Sequence, residues 1–350
     1  MARFFTRKDQ TELTSSAEIT SNQIDKAQQQ RPSATRQRWA IILAGGDGTR
    51  LRSITRTISG DDRPKQFSPL LGGETLLART RMRIAKSLDP LKTIFVVTAA
   101  HEPFFAGELG AVPPRQMIVQ SLNKGTLPAI LWGLLRIARF DKDALVALFP
   151  SDHYYADEEE FMAGVASALV CAEKDTSRVI LLGAPAKHAE TEYGWIEPDS
   201  SLPADFDGRL MGVKRFWEKP SYELAKRLLN QGCFWNTFVM VGTVRAFLEL
   251  IRRACPGLYR TFEPILSFQR LDQVYEFVRS LYDQIPSGDF SREVLSVSTA
   301  TLAVASLGDS GWSDLGDPRR LITTLHARGI ANPWVDGGTC NHCGSVLGAG

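Results

Sequence analysis

The sequence predicts an α/β fold, a mostly parallel sheet flanked by helices, and three observations predict it. From Trp39 onward, short apolar runs alternate with helical patterns of about 10 to 15 residues, the texture of strands joined by crossover helices. The first run, W-A-I-I-L-A at 39–44, ends directly in Gly45, Gly46 and Gly48. A later one, at 144–149, leads into P-S-D with Asp152. In such sheets ligands lie at the carboxyl ends of strands, so the glycine turn and Asp152 point to one shared crevice.

Residues 1–38 come before this pattern. They are polar, with Gln-rich and Ser/Thr-rich patches, and read as a flexible tail with a marginal helix at 17–30. Arg31, Arg36 and Arg38 read as solvated tail charges in preference to nucleic-acid or lipid contacts. The strand at 39–44 is followed by a polar, insert-like spacer through Asp62. A helix is expected at 74–88, a strand at 92–98, a helix at 101–109 and a strand at 117–120. Helix 126–138, strand 144–149, helix 158–174 and strand 178–183 continue the alternation. Asp157 to Glu160 complement the start of the helix at 158–174.

After Pro185 the texture shifts to aromatics and turns. Strands at 193–197 and 211–217 flank a Pro-, Asp- and Gly-rich loop at 201–208. Helix 221–230, strand 234–242, helices 244–254 and 271–280, strand 301–307 and a closing helix at 317–328 complete the chain. Residues 39–184 read as one half, residues 185–329 as the other, and 330–350 as a C-terminal tail.

The chain has 350 residues, 43% hydrophobic and 23% charged, with a formal net charge of +2. These are the proportions of an ordinary globular protein, and no global charge argues for nucleic acid or an acidic membrane. No apolar run of about 18 residues and no signal-peptide core is present. Five scattered cysteines form no disulfide framework, so a cytoplasmic setting is expected. Cys340, His342 and Cys343 lack a second C-x-x-C, and an exposed tail is preferred over half of a zinc site. A homodimer is left open; neither nucleic acid nor membrane is an expected partner.

The chemistry is concentrated around the glycine turn. Glycines after a buried strand let backbone N–H groups approach an anion, and Arg50, Arg52 and Lys65 bring positive charge to the same place. The pattern is neither a Walker loop nor a dinucleotide G-x-G-x-x-G. The run L-A-G-G-D-G-T-R-L with P-K-Q-F resembles the signature of the sugar-phosphate nucleotidyltransferases, the P-K-Q-F version being similar to the mannose-1-phosphate guanylyltransferases. That resemblance implies a Rossmann-like, GT-A-like nucleotidyltransferase fold with a sugar-binding β-rich insertion. It implies transfer of GMP from GTP to mannose 1-phosphate, giving GDP-mannose and pyrophosphate. A thymidylyl- or uridylyltransferase acting on glucose 1-phosphate, and a catalytically silent regulatory subunit, are the alternatives.

By the same resemblance Leu43, Ala44, Gly45, Gly46, Gly48, Thr49 and Arg50 wrap the nucleoside triphosphate, with Arg50, Lys65 and Asp152 as catalytic residues. A divalent metal, Mg²⁺, is expected on Asp152 and on Asp314 of G-W-S-D-L-G. An aspartate at a strand end is by itself more often a cap or turn residue; the glycine loop in the same chain favours the metal reading. His153 reads as a structural or outer-sphere group, since a phosphate nucleophile needs no general base. Base recognition is expected in Q-S-L-N-K-G-T-L-P-A-I, from Gln120, Lys124, Gly125 and Thr126. Ser121 and Leu127 depart from the family's usual proline and alanine there. The sugar phosphate is expected at Gly194 of E-Y-G-W-I-E-P, at Glu218 and Lys219 of F-W-E-K-P, and at Asn236 of F-W-N-T-F.

Overall fold

The computed structural model describes residues 36–199 and 210–330. The chain divides between Arg36 and Gln37, and every described strand and helix belongs to the larger unit. The expected helix at 17–30, the loop at 201–208, both tails apart from their innermost residues, and Cys340, His342 and Cys343 lie outside the described residues.

Nine strands form one sheet among the described residues: β1 (Arg38–Leu43), β2 (Thr93–Thr98), β3 (Met117–Gln120), β4 (Leu145–Pro150), β5 (Val179–Pro185), β6 (Gly194–Asp199), β7 (Leu210–Glu218), β8 (Phe234–Thr243) and β9 (Leu302–Ser306). Their order is β3-β2-β1-β4-β8-β5-β9-β7-β6, with β8 also pairing β6. The first four run parallel, Ile41 opposite Ile94 on one side and Leu148 on the other. The chain steps outward from β1 to β2 and β3, then returns to place β4 on the opposite side of β1. That reversal opens a crevice where β1 and β4 end.

Ten α-helices accompany the sheet among the described residues: α1 (Arg52–Ser59), α2 (Leu76–Ala85), α3 (Glu102–Leu109), α4 (Thr126–Ala138), α5 (Glu158–Lys174), α6 (Tyr222–Asn230), α7 (Val244–Ala254), α8 (Pro256–Phe262), α9 (Leu271–Tyr282) and α10 (Pro318–Ala327). Successive strand side chains face opposite ways, and β1 divides accordingly. Ile41 packs with residues of α4, α7 and α9, while Ala40 and Ile42 pack with residues of α2, α3 and α5. Both faces are therefore covered, which is why β1 is apolar without alternation. Asp157 caps α5, accepting from the N–H groups of Glu159 and Glu160. None of the described helices is long and apolar enough to cross a membrane.

Three features differ from the sequence expectation. β8 runs antiparallel to both β4 and β5, and the β6–β7 pair is antiparallel too. A strand buried on both faces is a continuous apolar run whatever its direction, so the pattern could not reveal this. The spacer after Arg50 is largely helical: α1 packs Ile54 and Ile58 against Leu315, Leu321 and Leu325, and Gly60 ends it in the left-handed conformation. Arg38, placed in the tail from its charge, starts β1 and pairs with Glu173 at 3.4 Å.

Candidate active site

The glycine loop leaves β1 at Leu43 with its carbonyls turned inward. Gln66, 2% exposed, donates its amide N–H groups to the oxygens of Ala44 and Gly46 at 3.0 and 2.7 Å. Thr98 donates to Gly45 O at 3.0 Å. Three consecutive partial negative charges are thus withdrawn from the crevice, which suits an anion. Gly48 has φ +57°, and a Cβ there would lie 2.8 Å from Lys65 N, so the turn requires glycine on both counts. Thr49 and Arg50 follow in a single 3₁₀ turn.

Lys65 joins the two expected metal ligands. Its ammonium donates to Asp314 O at 2.6 Å and lies 3.2 Å from Asp152 Oδ2. Asp152 and Asp314 are far apart in sequence, and a backbone bridge unites their loops: Tyr154 and Ser313 exchange N–H···O bonds of 2.9 and 3.0 Å. Burial alone would raise the Asp152 carboxyl; the Lys65 ammonium, with His153, outweighs it and holds it below the usual carboxylate range. His153 Nδ1 accepts from the Trp312 indole at 3.2 Å, and burial lowers its pKa against the pull of the Asp152 carboxylate.

Asp314 is held on its other side. Its Oδ1 accepts from Tyr193 O–H at 3.0 Å and Gly316 N–H at 2.8 Å, with Arg320 Nε 3.3 Å away. Arg320 also reaches Asp317 and Glu190 at 2.6 and 3.4 Å and stacks over the Tyr193 ring. No group of three or more His, Cys, Asp or Glu among the described residues is arranged to hold a metal alone. Asp152 and Asp314 supply two carboxylates, a donor set that fits a cation taking its remaining oxygens from phosphate and water.

The base-recognition segment adjoins the same loop. Asn123 donates to Asp47 at 2.9 Å, and His101 lies 3.2 Å from the other Asp47 oxygen. Gln120 is buried, its amide oxygen accepting from Tyr282 O–H at 2.8 Å. A Cβ on Gly45 would lie 2.8 Å from the Gln120 amide nitrogen, so this side chain is tucked beside the glycine loop, its oxygen already committed. Gly125, with φ +85°, Lys124 and Thr126 are laced to a loop unseen in the sequence pattern. Gly288 N–H donates to Lys124 O, Leu127 N–H to Gly288 O, and Phe290 N–H to Thr126 Oγ1.

Gly194, Glu218 and Asn236 come together where β6, β7 and β8 meet. A Cβ on Gly194 would stand 3.0 Å from Glu218 Oε2 and 3.3 Å from Asn236 Cβ. Burial first, then Asp289, raises the Glu218 carboxyl above the usual range, against Lys219 and Arg292. Lys219 sits in the left-handed region at φ +48°, its N–H bonded to Tyr193 O. Arg50 is exposed and lies 3.5 Å from Glu192. Sequence reasoning missed Tyr193, Gln66 and Arg320. The first two lie inside the E-Y-G-W-I-E-P and P-K-Q-F motifs; Arg320 carried no signal.

These loops can be set beside known proteins. The chain is 30% identical over 306 residues to the xanthan biosynthesis protein XanB of Xanthomonas campestris pv. campestris, covering 83% of this chain and 60% of that protein. It is 27% identical over 290 residues to the mannose-1-phosphate guanylyltransferase ManC of Salmonella typhimurium, covering 79% and 57%. The chain therefore spans less than two thirds of the length of these curated relatives. Among solved structures, a mannose-1-phosphate geranyltransferase from Thermus thermophilus superposes with a TM-score of 0.71 at 26% identity, covering 85% of this chain and 80% of that one. The profile of the nucleotidyl transferases matches residues 39–328, from the first strand through the last helix, and the chain belongs to the nucleotidyl transferase family.

Proposed function

We propose that this chain transfers GMP from GTP to mannose 1-phosphate. The observation that carries the reading is the Lys65 ammonium bridging the Asp152 carboxylate and the Asp314 backbone at the mouth of the glycine loop. The choice of guanine and mannose rests on the P-K-Q-F resemblance and on relatives such as ManC.

A phosphate oxygen of mannose 1-phosphate attacks the α-phosphorus of GTP; the new P–O bond forms as the bond to the β-phosphate oxygen breaks, and pyrophosphate leaves with that electron pair. The nucleophile is already anionic, so the chain's task is to position and to neutralise charge. The loop at Ala44 to Gly46, its carbonyls turned away, receives the triphosphate, and Lys65 and Arg50 offset charge on the reacting phosphates. Glu218 and Asn236 take sugar hydroxyls, and Lys219 the sugar phosphate. Mg²⁺, held by Asp152 and Asp314, would supply Lewis-acid neutralisation of the phosphates. Cytoplasmic residence is part of the proposal, and the described cysteines are free thiols.

The test is pyrophosphate release from GTP, ATP, UTP and dTTP against several sugar 1-phosphates, with Mg²⁺ and after chelation, and Asp152→Asn as control. Turnover with GTP and mannose 1-phosphate, lost on chelation, is expected. Turnover with UTP alone overturns the guanine reading. Metal-dependent nucleotide binding with no turnover favours a silent regulatory subunit.

A further inference from the structure

In the stretch Gly45-Gly46-Asp47-Gly48 a single residue has a side chain. Such a stretch specifies its own backbone weakly. The bonds from Gln66 and Thr98 hold the inner carbonyls, those of Ala44, Gly45 and Gly46. The outer turn lies beyond them, and Asp47, its one side chain, is exposed. A carboxylate is a costly choice there, because a fixed negative charge beside a triphosphate repels it.

Both oxygens of that carboxylate are nonetheless engaged, each by a different neighbouring loop. Asn123, after β3, donates to Oδ2 at 2.9 Å; His101, after β2, places Nε2 3.2 Å from Oδ1. The Asn123 amide is fixed in orientation, since its own oxygen accepts from Gly125 N–H at 3.0 Å and leaves the NH₂ end for Asp47. The His101 ring is buried and stands edge-on to Phe67, centroids 6.0 Å apart. Its buried Nδ1 has no partner among the described residues, so the tautomer with the proton on Nε2, beside Asp47, is the one that leaves no buried N–H unpaired.

The geometry points to Asp47 as a positioning residue: strapped to Asn123 and His101, it fixes the outer turn of the glycine loop in the shape that receives the triphosphate. This rests on the reading of that loop as the triphosphate site, and not on the choice of base or sugar. Asp47 and Asn123 are both exposed, so their bond adds little to global stability, and its effect is local. Loss of the side chain therefore has a diagnostic sign. A bystander carboxylate repels the phosphates, and removing it tightens their binding; a strap holds the loop in shape, and removing it weakens their binding.

The experiment is calorimetric titration of the full chain with tripolyphosphate, which has no base, in the presence of Mg²⁺. Asp47→Ala is expected to weaken binding roughly tenfold, although it removes a negative charge. Asp47→Asn, which keeps an acceptor for the Asn123 N–H, restores binding to the wild-type level or better. Asn123→Ala weakens it too, and the double variant binds no more weakly than Asn123→Ala alone, because both changes cut one strap. In steady-state kinetics Asp47→Ala raises KM for the nucleotide and leaves kcat and KM for the sugar phosphate near wild type; a general loosening of the fold would move all three. Tighter or unchanged tripolyphosphate binding by Asp47→Ala, or additive losses in the double variant, overturns the inference. No binding by the wild type would remove the loop's triphosphate role and this one with it. Turnover with UTP alone, with the Asp47 effect intact, would sink the guanine reading and leave this inference standing.

Discussion

Tyr154 and Ser313 pair through one antiparallel bridge, and that bridge holds the loop after β4 against the loop after β9. Asp152 lies two residues before the first and Asp314 one after the second, so a backbone contact holds together two loops whose aspartates the sequence separates widely. Lys65 then spans the join.

Lys65→Met keeps the aliphatic stem and removes the ammonium. The maximal rate is expected to fall roughly 10²- to 10³-fold, the scale seen when one preorganised charge-stabilising group is lost. Steady-state kinetics alongside a thermal melt checks this; an intact fold with wild-type turnover would remove Lys65 from the chemistry.

Gln66→Leu preserves the packing and strands two carbonyl oxygens, those of Ala44 and Gly46. Leaving buried acceptors unpaired is expected to cost about 2 kcal/mol in urea denaturation. Because the lost bonds shape the glycine loop, KM for the nucleotide rises more than KM for the sugar phosphate. Equal rises would show that Gln66 supports the fold in general.

Arg320→Leu removes the shared partner of Asp314, Asp317 and Glu190, which are largely shielded from solvent. Breaking a buried pair from one side is expected to destabilise by about 3 kcal/mol. Turnover falls with it, because Asp314 loses one of the groups that fix its carboxylate. Chemical denaturation measures the first effect and a Mg²⁺ titration of the rate the second.

Glu218 gives a pH signature. Its folded pKa is raised, so just above the ordinary glutamate range the native chain binds more protons than the unfolded one. The corresponding stability is present at low pH and is lost as pH rises through the raised value. Glu218→Gln removes this dependence: relative to wild type its stability gains as pH rises above the ordinary glutamate range, while KM for the sugar phosphate increases. Denaturation curves at several pH values, paired with kinetics, check both arms.

Much of this was legible in the sequence. α4, α5 and α7 occupy the ranges their periodicity gives, because amphipathic spacing and local caps act within a few residues. Gly45 to Gly48 and Asp152 could be placed at strand ends for the same reason. The direction of β8 could not, since it is set by pairing with β4 and β5. α1 was hidden because Arg52, Ser53, Thr55, Arg56 and Thr57 outnumber Ile54 and Ile58, and the surface those two cover comes from α10 and the loop before it. Nothing local in Arg320 announces three carboxylates that only the folded α10 brings within reach. Gln120 was expected to present its amide to a base; Tyr282, which donates to its amide oxygen, is 162 residues away in the sequence.

The central position of β8 bears on how the chain emerges from the ribosome. Among the described strands β5 has only β8 and β9 for neighbours, and β4 has β8 on its outer side, so both wait with unpaired edges until residues beyond 234 are made. Until then they are templates for pairing with another nascent chain. A polypeptide truncated near Pro185 would keep the nucleotide loop and still aggregate, and the two halves of the crevice are expected to be obtainable only as one cooperatively folded unit.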